Sequence, residues 1–213
     1  MLYYLRVTVF ILLVPASLCH AEIISSASVS SQGSFFNSAE LVSDGMVPSE
    51  STRWTNDSNA YWLNQEGSEG VVFTIDYGQV FLLENVLLSV DNNDAYQLEY
   101  SVDNMDFVSF SNIQIVDGNI LPTSSGGTGG MDVMSSNSSN AEYIANLDFS
   151  PVQMRYLRLY AIEGDTAYSV GEIQAFGTAV PEPNSFFALC ALLVPAAMLR
   201  RRRRGHHVGR ESE

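Results

Sequence analysis

Lysine is absent from this chain of 213 residues, and all ten basic residues are arginine. Seven of them sit near the ends: Arg6, Arg200, Arg201, Arg202, Arg203, Arg204 and Arg210. Histidine is as scarce and as displaced, at His20, His206 and His207, and the only cysteines are Cys19 and Cys190. Residues 22–180 therefore hold no cysteine and no histidine. That excludes an internal disulfide there, zinc sites built on His or Cys, and nucleophiles activated by histidine. Stability has to come from a core, and 46% apolar residues supply enough material for one. The same span keeps 21 acids against Arg53, Arg155 and Arg158, a formal charge of −18. A surface of that sign repels nucleic acid, whose affinity comes from cations that neutralise phosphate. It repels other polyanions too, unless divalent cations bridge the two. The length suits one domain.

The two ends read as sorting signals. Arg6 precedes the apolar stretch Val7–Leu18, and Cys19 and Ala21 supply the small residues needed for a cut after Ala21. Residues 1–21 thus read as a secretory signal peptide. A lipoprotein cut before Cys19 is the alternative, disfavoured by the large Leu18. At the other end, Pro181-Glu182-Pro183 precedes an uncharged run, 184–199, and then Arg200 to Arg204. The strictly apolar part, 186–199, would span roughly 21 Å as a helix. That is short of the ~30 Å hydrocarbon layer, a gap that snorkelling arginines can close. The arginines should remain cytoplasmic, which puts residues 22–180 outside the inner membrane.

A Pro-Glu-Pro motif, a short membrane span and an arginine cluster, in that order, resemble the PEP-CTERM sorting signal of Gram-negative bacteria. The resemblance covers 180–204 and implies processing near Pro181, Glu182 and Pro183 by an exosortase-type enzyme. It also implies a transient stay in the inner membrane, then export to the cell surface or extracellular matrix. The tail 205–213 extends past the point where most such signals stop.

Between the ends the pattern is that of strands. Val71–Tyr77 is β-branched and aromatic and stops at Gly78; Val80–Val90 is a second run. Tyr96–Ser101 alternates with period two, Asp103-Asn104 suits a tight turn, and Phe107-Val108 leads a return strand. Tyr143–Phe149, Tyr156–Tyr160, Glu172–Phe176 and Ile23–Ser30 complete about eight strands. No long helical period occurs outside the ends, so an all-β antiparallel sandwich or jelly roll is expected. Residues 122–140 are rich in Gly, Ser and Asn and read as a flexible insertion, not a core element. Asp91-Asn92-Asn93-Asp94 lacks the spacing, glycine and terminal glutamate of an EF-hand loop and reads as a solvated turn.

Three segments together resemble the discoidin, or coagulation factor 5/8 type C, domain, a galactose-binding-like sandwich related to family 32 carbohydrate-binding modules. The first is Ala39–Gly45 leading to Ser51-Thr52-Arg53-Trp54. The second is Phe73–Gly78, then Tyr96–Ser101 with Asp103 and with Phe107 where a tryptophan is usual. The third is Arg155–Tyr160 with Gly171-Glu172-Ile173. They cover about 23–177, within a domain drawn at 22–178. The resemblance implies one structural calcium held by Asp44, Thr52 and Glu172, hard oxygen ligands of the kind calcium takes. It implies a sugar site on variable loops, with Arg53, Tyr61, Trp62 and Asn92 as candidates for stacking and polar contact. Trp54 and Trp62 suit core or loop packing better than sugar contact. The expected function is non-catalytic binding of exopolysaccharide or cell-surface glycan; the alternative is a structural matrix protein of the same fold without a sugar ligand. A glycosidase needs only two carboxylates, but no such pair stands out.

Overall fold

The computed structural model describes residues 21–64, 70–110, 116–117 and 130–181. The signal-peptide segment 1–20, the Gly-rich stretch 122–129 and everything from Glu182 onward, including the apolar run and Arg200 to Arg204, lie outside the described residues. Among the described residues no helix is long and apolar enough to cross a membrane.

Among the described residues ten antiparallel strands form: β1 (Glu22–Ile24), β2 (Ser28–Gln32), β3 (Ala60–Leu63), β4 (Val72–Asp91), β5 (Ala95–Ser101), β6 (Val108–Ser109), β7 (Val116–Asp117), β8 (Met131–Ser135), β9 (Val152–Glu163) and β10 (Ala167–Ala179). The main ladder runs β1-β10-β4-β9-β5-β6, with β2 and β8 also on β4, β3 on β10 and β7 on β5. The backbone is thus overwhelmingly β, as the alternating sequence requires.

Strand β4 organises the rest. Its first half pairs with β9 as far as Asp76↔Tyr156, and pairing resumes only at Phe81↔Met154. Four residues, Tyr77 to Val80, therefore oppose Arg155 alone, a wide bulge of the kind that bends a strand. Gly78 stands in it at φ +80°, which glycine adopts without a Cβ penalty. The expected stop at Gly78 is corrected: the chain bends there and pairing continues. The second half of β4 then pairs with β10 up to Val170↔Val90. Only Gly164 to Thr166 separate β9 from β10, so the far ends of the two halves of β4 lie at one pole. Strand β4 has folded back over itself, and its halves belong to two facing layers.

The core fills the space between those layers. Phe73, Ile75, Leu98, Leu157 and Leu159 enter from one side, and Val86, Leu88, Val90, Val170 and Ala175 from the other. Trp62 joins them. It rides on β3 in one layer, yet its ring lies 5.7 Å from Phe73 and 6.4 Å from Tyr96 in the other, and stacks at 5.5 Å on Tyr168. Leu157 and Leu159 are buried, which leaves Tyr156, Arg158 and Tyr160 on the outer face of β9.

That outer face carries two ion pairs built from the sequence motifs. Arg155 Nε and Nη2 donate to Asp76 at 2.8 and 2.9 Å. Arg158 Nε donates to Glu99, its ladder partner, at 2.8 Å, and its guanidinium lies 3.8 Å over the Phe107 ring. Phe107 thus gives Arg158 an aromatic face to rest on.

Two further expectations fail. Met131–Ser135, inside the supposed insertion, is strand β8 on β4, with Met131 and Met134 buried. The apolar Met131, Val133 and Met134 outweigh the Ser/Asn bias around them. Tyr143–Phe149 is not a strand: Tyr143 makes one isolated bridge and Ala145–Leu147 is a 3-10 turn that buries Leu147.

Replacing Trp62 by alanine removes the ring that joins the layers. The expected loss is about 3–5 kcal/mol, read as a lower denaturant midpoint at an unchanged slope.

Candidate functional site

The segment Asp44–Asn59 crosses the outer face of the β10 layer. Gly45 N–H donates to both carboxylate oxygens of Glu172, at 3.2 and 3.3 Å. Pro48 lies against Gly171, and the Trp54 carbonyl accepts from Ser169 Oγ at 2.9 Å. At its outer side Ser51 N–H donates to the Met131 carbonyl, and the Thr52 carbonyl accepts from Met131 N–H. The segment therefore spans from β10 to β8 and seals polar groups beneath it.

Asp44 and Glu172 come together. With Ser25, Ser26, Ser43, Gly45 and Gln174 they line a cavity of about 260 Å³. Glu172 is 1% exposed, and burial, reinforced by the Asp44 charge, pushes its carboxyl up to about 7. Asp44 already accepts from Met46 N–H at 2.8 Å. Ser89 is the ladder partner of Glu172 and so shares its face. Its Oγ is fully buried and has no hydrogen-bond partner. The carboxylates of Asp44 and Glu172, with the hydroxyls of Ser25, Ser26 and Ser43 around the same cavity, fit a hard cation such as calcium. Thr52 does not join the set: the long stretch from Asp44 carries it across to β8, away from the cavity. Among the described residues no three carboxylates converge on one point.

The four sugar candidates separate. Trp62 is 1% exposed and is corrected to a core residue, because its inward position on β3 leaves no ring face for a ligand. Arg53 and Asn92 meet at Gly130: Arg53 bridges to it, and Asn92 both donates to its carbonyl and accepts from its N–H. The Asn92 side chain is thereby engaged in holding the start of β8. Tyr61, next to Trp62 and on the opposite face, is half-buried in an aromatic group. Its ring stacks on Phe36 at 4.8 Å and 14°, and Trp54 meets it edge-on at 5.4 Å. Phe36 is 53% exposed and forms the open face of the group. Asn37 Nδ2 donates to the carbonyls of Asn56 and Asn59, which fixes this ring beside the exposed Asn56 and Asp57. Phe36 escaped the sequence reading because Phe35-Phe36 lies in no periodic run. The one available signal was a pair of aromatics next to Asn37, a residue that tolerates its φ of 67°.

A second group of acids lies at the pole where β4 turns into β5. Asp91 and Asp94 are each 1% exposed; burial pushes them up to about 7 and about 8, and their mutual charge adds to the rise in Asp94. Asp94 accepts from Asp165 N–H and from Tyr96 Oη, and Tyr96 Oη in turn bonds the Ser169 backbone. This knits the β4–β5 turn to the β9–β10 turn. The Asp91–Asp94 turn is therefore packed, not solvated as its composition suggested.

No family model and no curated protein matches the chain. Solved structures resemble it in fold. A truncated AlyQ with a family 32 carbohydrate-binding module and an alginate lyase domain is 14% identical, at a TM-score of 0.49, over 77% of this chain. The chain spans 35% of the length of that structure. The AlyQ module in complex with 4,5-unsaturated mannuronic acid is 16% identical over 73% of this chain and 98% of its own, at 0.46. The family 32 module of Clostridium perfringens NanJ in complex with galactose is 11% identical over 74% and 99%, at 0.45.

The raised carboxylates fix the sign of the pH response. Their folded pKa lies above the unfolded value of ~4, so the folded state holds more protons between the two and stability falls as pH rises from about 4 to about 8. Melting temperature without divalent cations should therefore drop from pH 5 to pH 8. Asp94→Asn should flatten that slope in a series of melts.

Proposed function

We propose that this is an exported, non-catalytic protein that binds carbohydrate, either exopolysaccharide or cell-surface glycan. The observation that carries the reading is the open Phe36 ring, stacked on Tyr61, next to Asn37, which ties it to the 56–59 loop with its exposed Asn56 and Asp57. An exposed ring backed by a second aromatic presents a flat apolar surface to the C–H face of a sugar, and neighbouring amide and carboxylate groups meet its hydroxyls. Arg53, one residue before Trp54, is an exposed cation near the same loop and suits an acidic or neutral glycan. The Asp44 and Glu172 oxygens would hold a calcium ion that pins the Asp44–Asn59 segment on which Trp54, Asn56 and Asp57 are carried. Its chemistry there is structural: it would neutralise two apposed carboxylates.

Delivery belongs to the same proposal. Residues 1–21 direct export, and the PEP-CTERM-like region 180–204 holds the chain in the inner membrane until an exosortase-type enzyme processes it. The sequence order of motif, apolar run and arginines supports this.

Two measurements test the reading. Phe36→Ala should weaken retention on immobilised glycan about 3–10-fold while the melt falls only slightly, because the ring is more than half exposed and its main contact is the stack on Tyr61. Retention equal to wild type on every glycan would favour the structural-matrix alternative. Calcium at a hundredfold excess over its Kd should stabilise the protein by about 2.7 kcal/mol. Glu172→Gln should abolish that gain, and a melt indifferent to calcium and EDTA would remove the cation from the account.

A further inference from the structure

The last strand runs straight into the processing motif. Gly177 pairs with Leu83 of β4 on one side and with Glu22 of β1 on the other, so the end of β10 is held between two strands. Thr178↔Leu82 and Ala179↔Phe81 continue the ladder, and Val180 N–H donates to the Val80 carbonyl at 3.0 Å. Pro181 comes next. It has no N–H to extend the ladder, and it is exposed. Among the described residues the last sheet hydrogen bond is that of Val180, with no spacer residue before the motif. The packing around the junction is close: a Cβ on Gly177 would stand 2.0 Å from the Leu82 carbonyl oxygen.

An enzyme that acts on a polypeptide binds it extended, with residues on both sides of the reacting bond in its cleft. Ala179 and Val180 cannot enter a cleft while their backbone groups are bonded to β4. We infer that the folded domain gates its own processing: the 177–180 end of β10 is a latch that must open before the Pro-Glu-Pro motif can be engaged. This rests on the reading of 180–204 as a processed sorting signal. The rate of processing then follows the small open population of the strand end, not the affinity of the enzyme for the motif alone. A chain whose sandwich has not closed is processed faster than a folded one.

The test uses the full chain in a Gram-negative host with an exosortase-type system, followed by pulse–chase with mass detection of precursor and product. A Gly/Ser spacer between Val180 and Pro181 frees the motif without touching the domain. It should speed conversion by about fivefold or more, as expected if two or three ladder hydrogen bonds no longer have to open. The same spacer placed after Gly205 should leave the rate unchanged. Gly177→Ala, which forces the strand end away from Leu82, should also speed conversion. Wild-type processing at the same rate as the Val180 spacer chain would overturn the latch and leave the sorting reading standing. Failure of both chains to be processed would overturn the sorting reading, and the latch with it.

Discussion

Everything in this domain depends on strand β4 turning back over itself. The bulge at Tyr77 to Val80 lets one continuous strand serve two layers, and the apolar alternation of each half then faces the other. Trp62 closes the space between them by touching Phe73, Tyr96 and Tyr168 together. With no disulfide available in residues 22–180, this interdigitated apolar contact is what the fold has to rely on. It also fixes the two poles. The turns at Asp91–Asp94 and Gly164–Thr166 share one; the bend of β4 and the strand ends at Glu22 and Ala179 share the other.

The polar groups divide by whether a cation is at hand. Asp76 and Glu99 have arginines, and Arg155 holds the Asp76 carboxyl below its ordinary value. Asp91, Asp94 and Glu172 have none, and burial raises each of them. Residues 22–180, with three arginines for 21 acids, cannot pair them all. Some are solvated, and the buried ones without an arginine have their carboxyls pushed up. The pair Asp44 and Glu172 lies at the start of a segment that carries part of the aromatic group, and there only Glu172 is buried.

Much of the fold was legible because strand periodicity and the paired motifs are local. Glu99 and Arg158 stand in separate segments of the sequence and are ladder partners in the fold. What was not legible depends on distant contacts. Trp62 and Tyr61 are neighbours of similar chemistry, and only the pairing of β3 with β10 sends one inward and the other out. Strand β8 hides in Ser/Asn-rich sequence because its burial comes from β4 and the Thr52 segment. Thr52 and Glu172 look like co-ligands in sequence, but the length of chain after Asp44 carries Thr52 elsewhere. Phe36 has no pattern of its own and gains meaning from Tyr61, 25 positions later.

The central claim is that the Phe36–Tyr61 surface meets a sugar. Its most direct test is to titrate the purified protein with neutral and acidic oligosaccharides while following aromatic ring signals by NMR. The account predicts saturable shifts of Phe36 and Tyr61 with one glycan class, and a Trp62 signal that stays still in the core. Rings that do not respond to any glycan, or a response confined to the opposite pole, would contradict it.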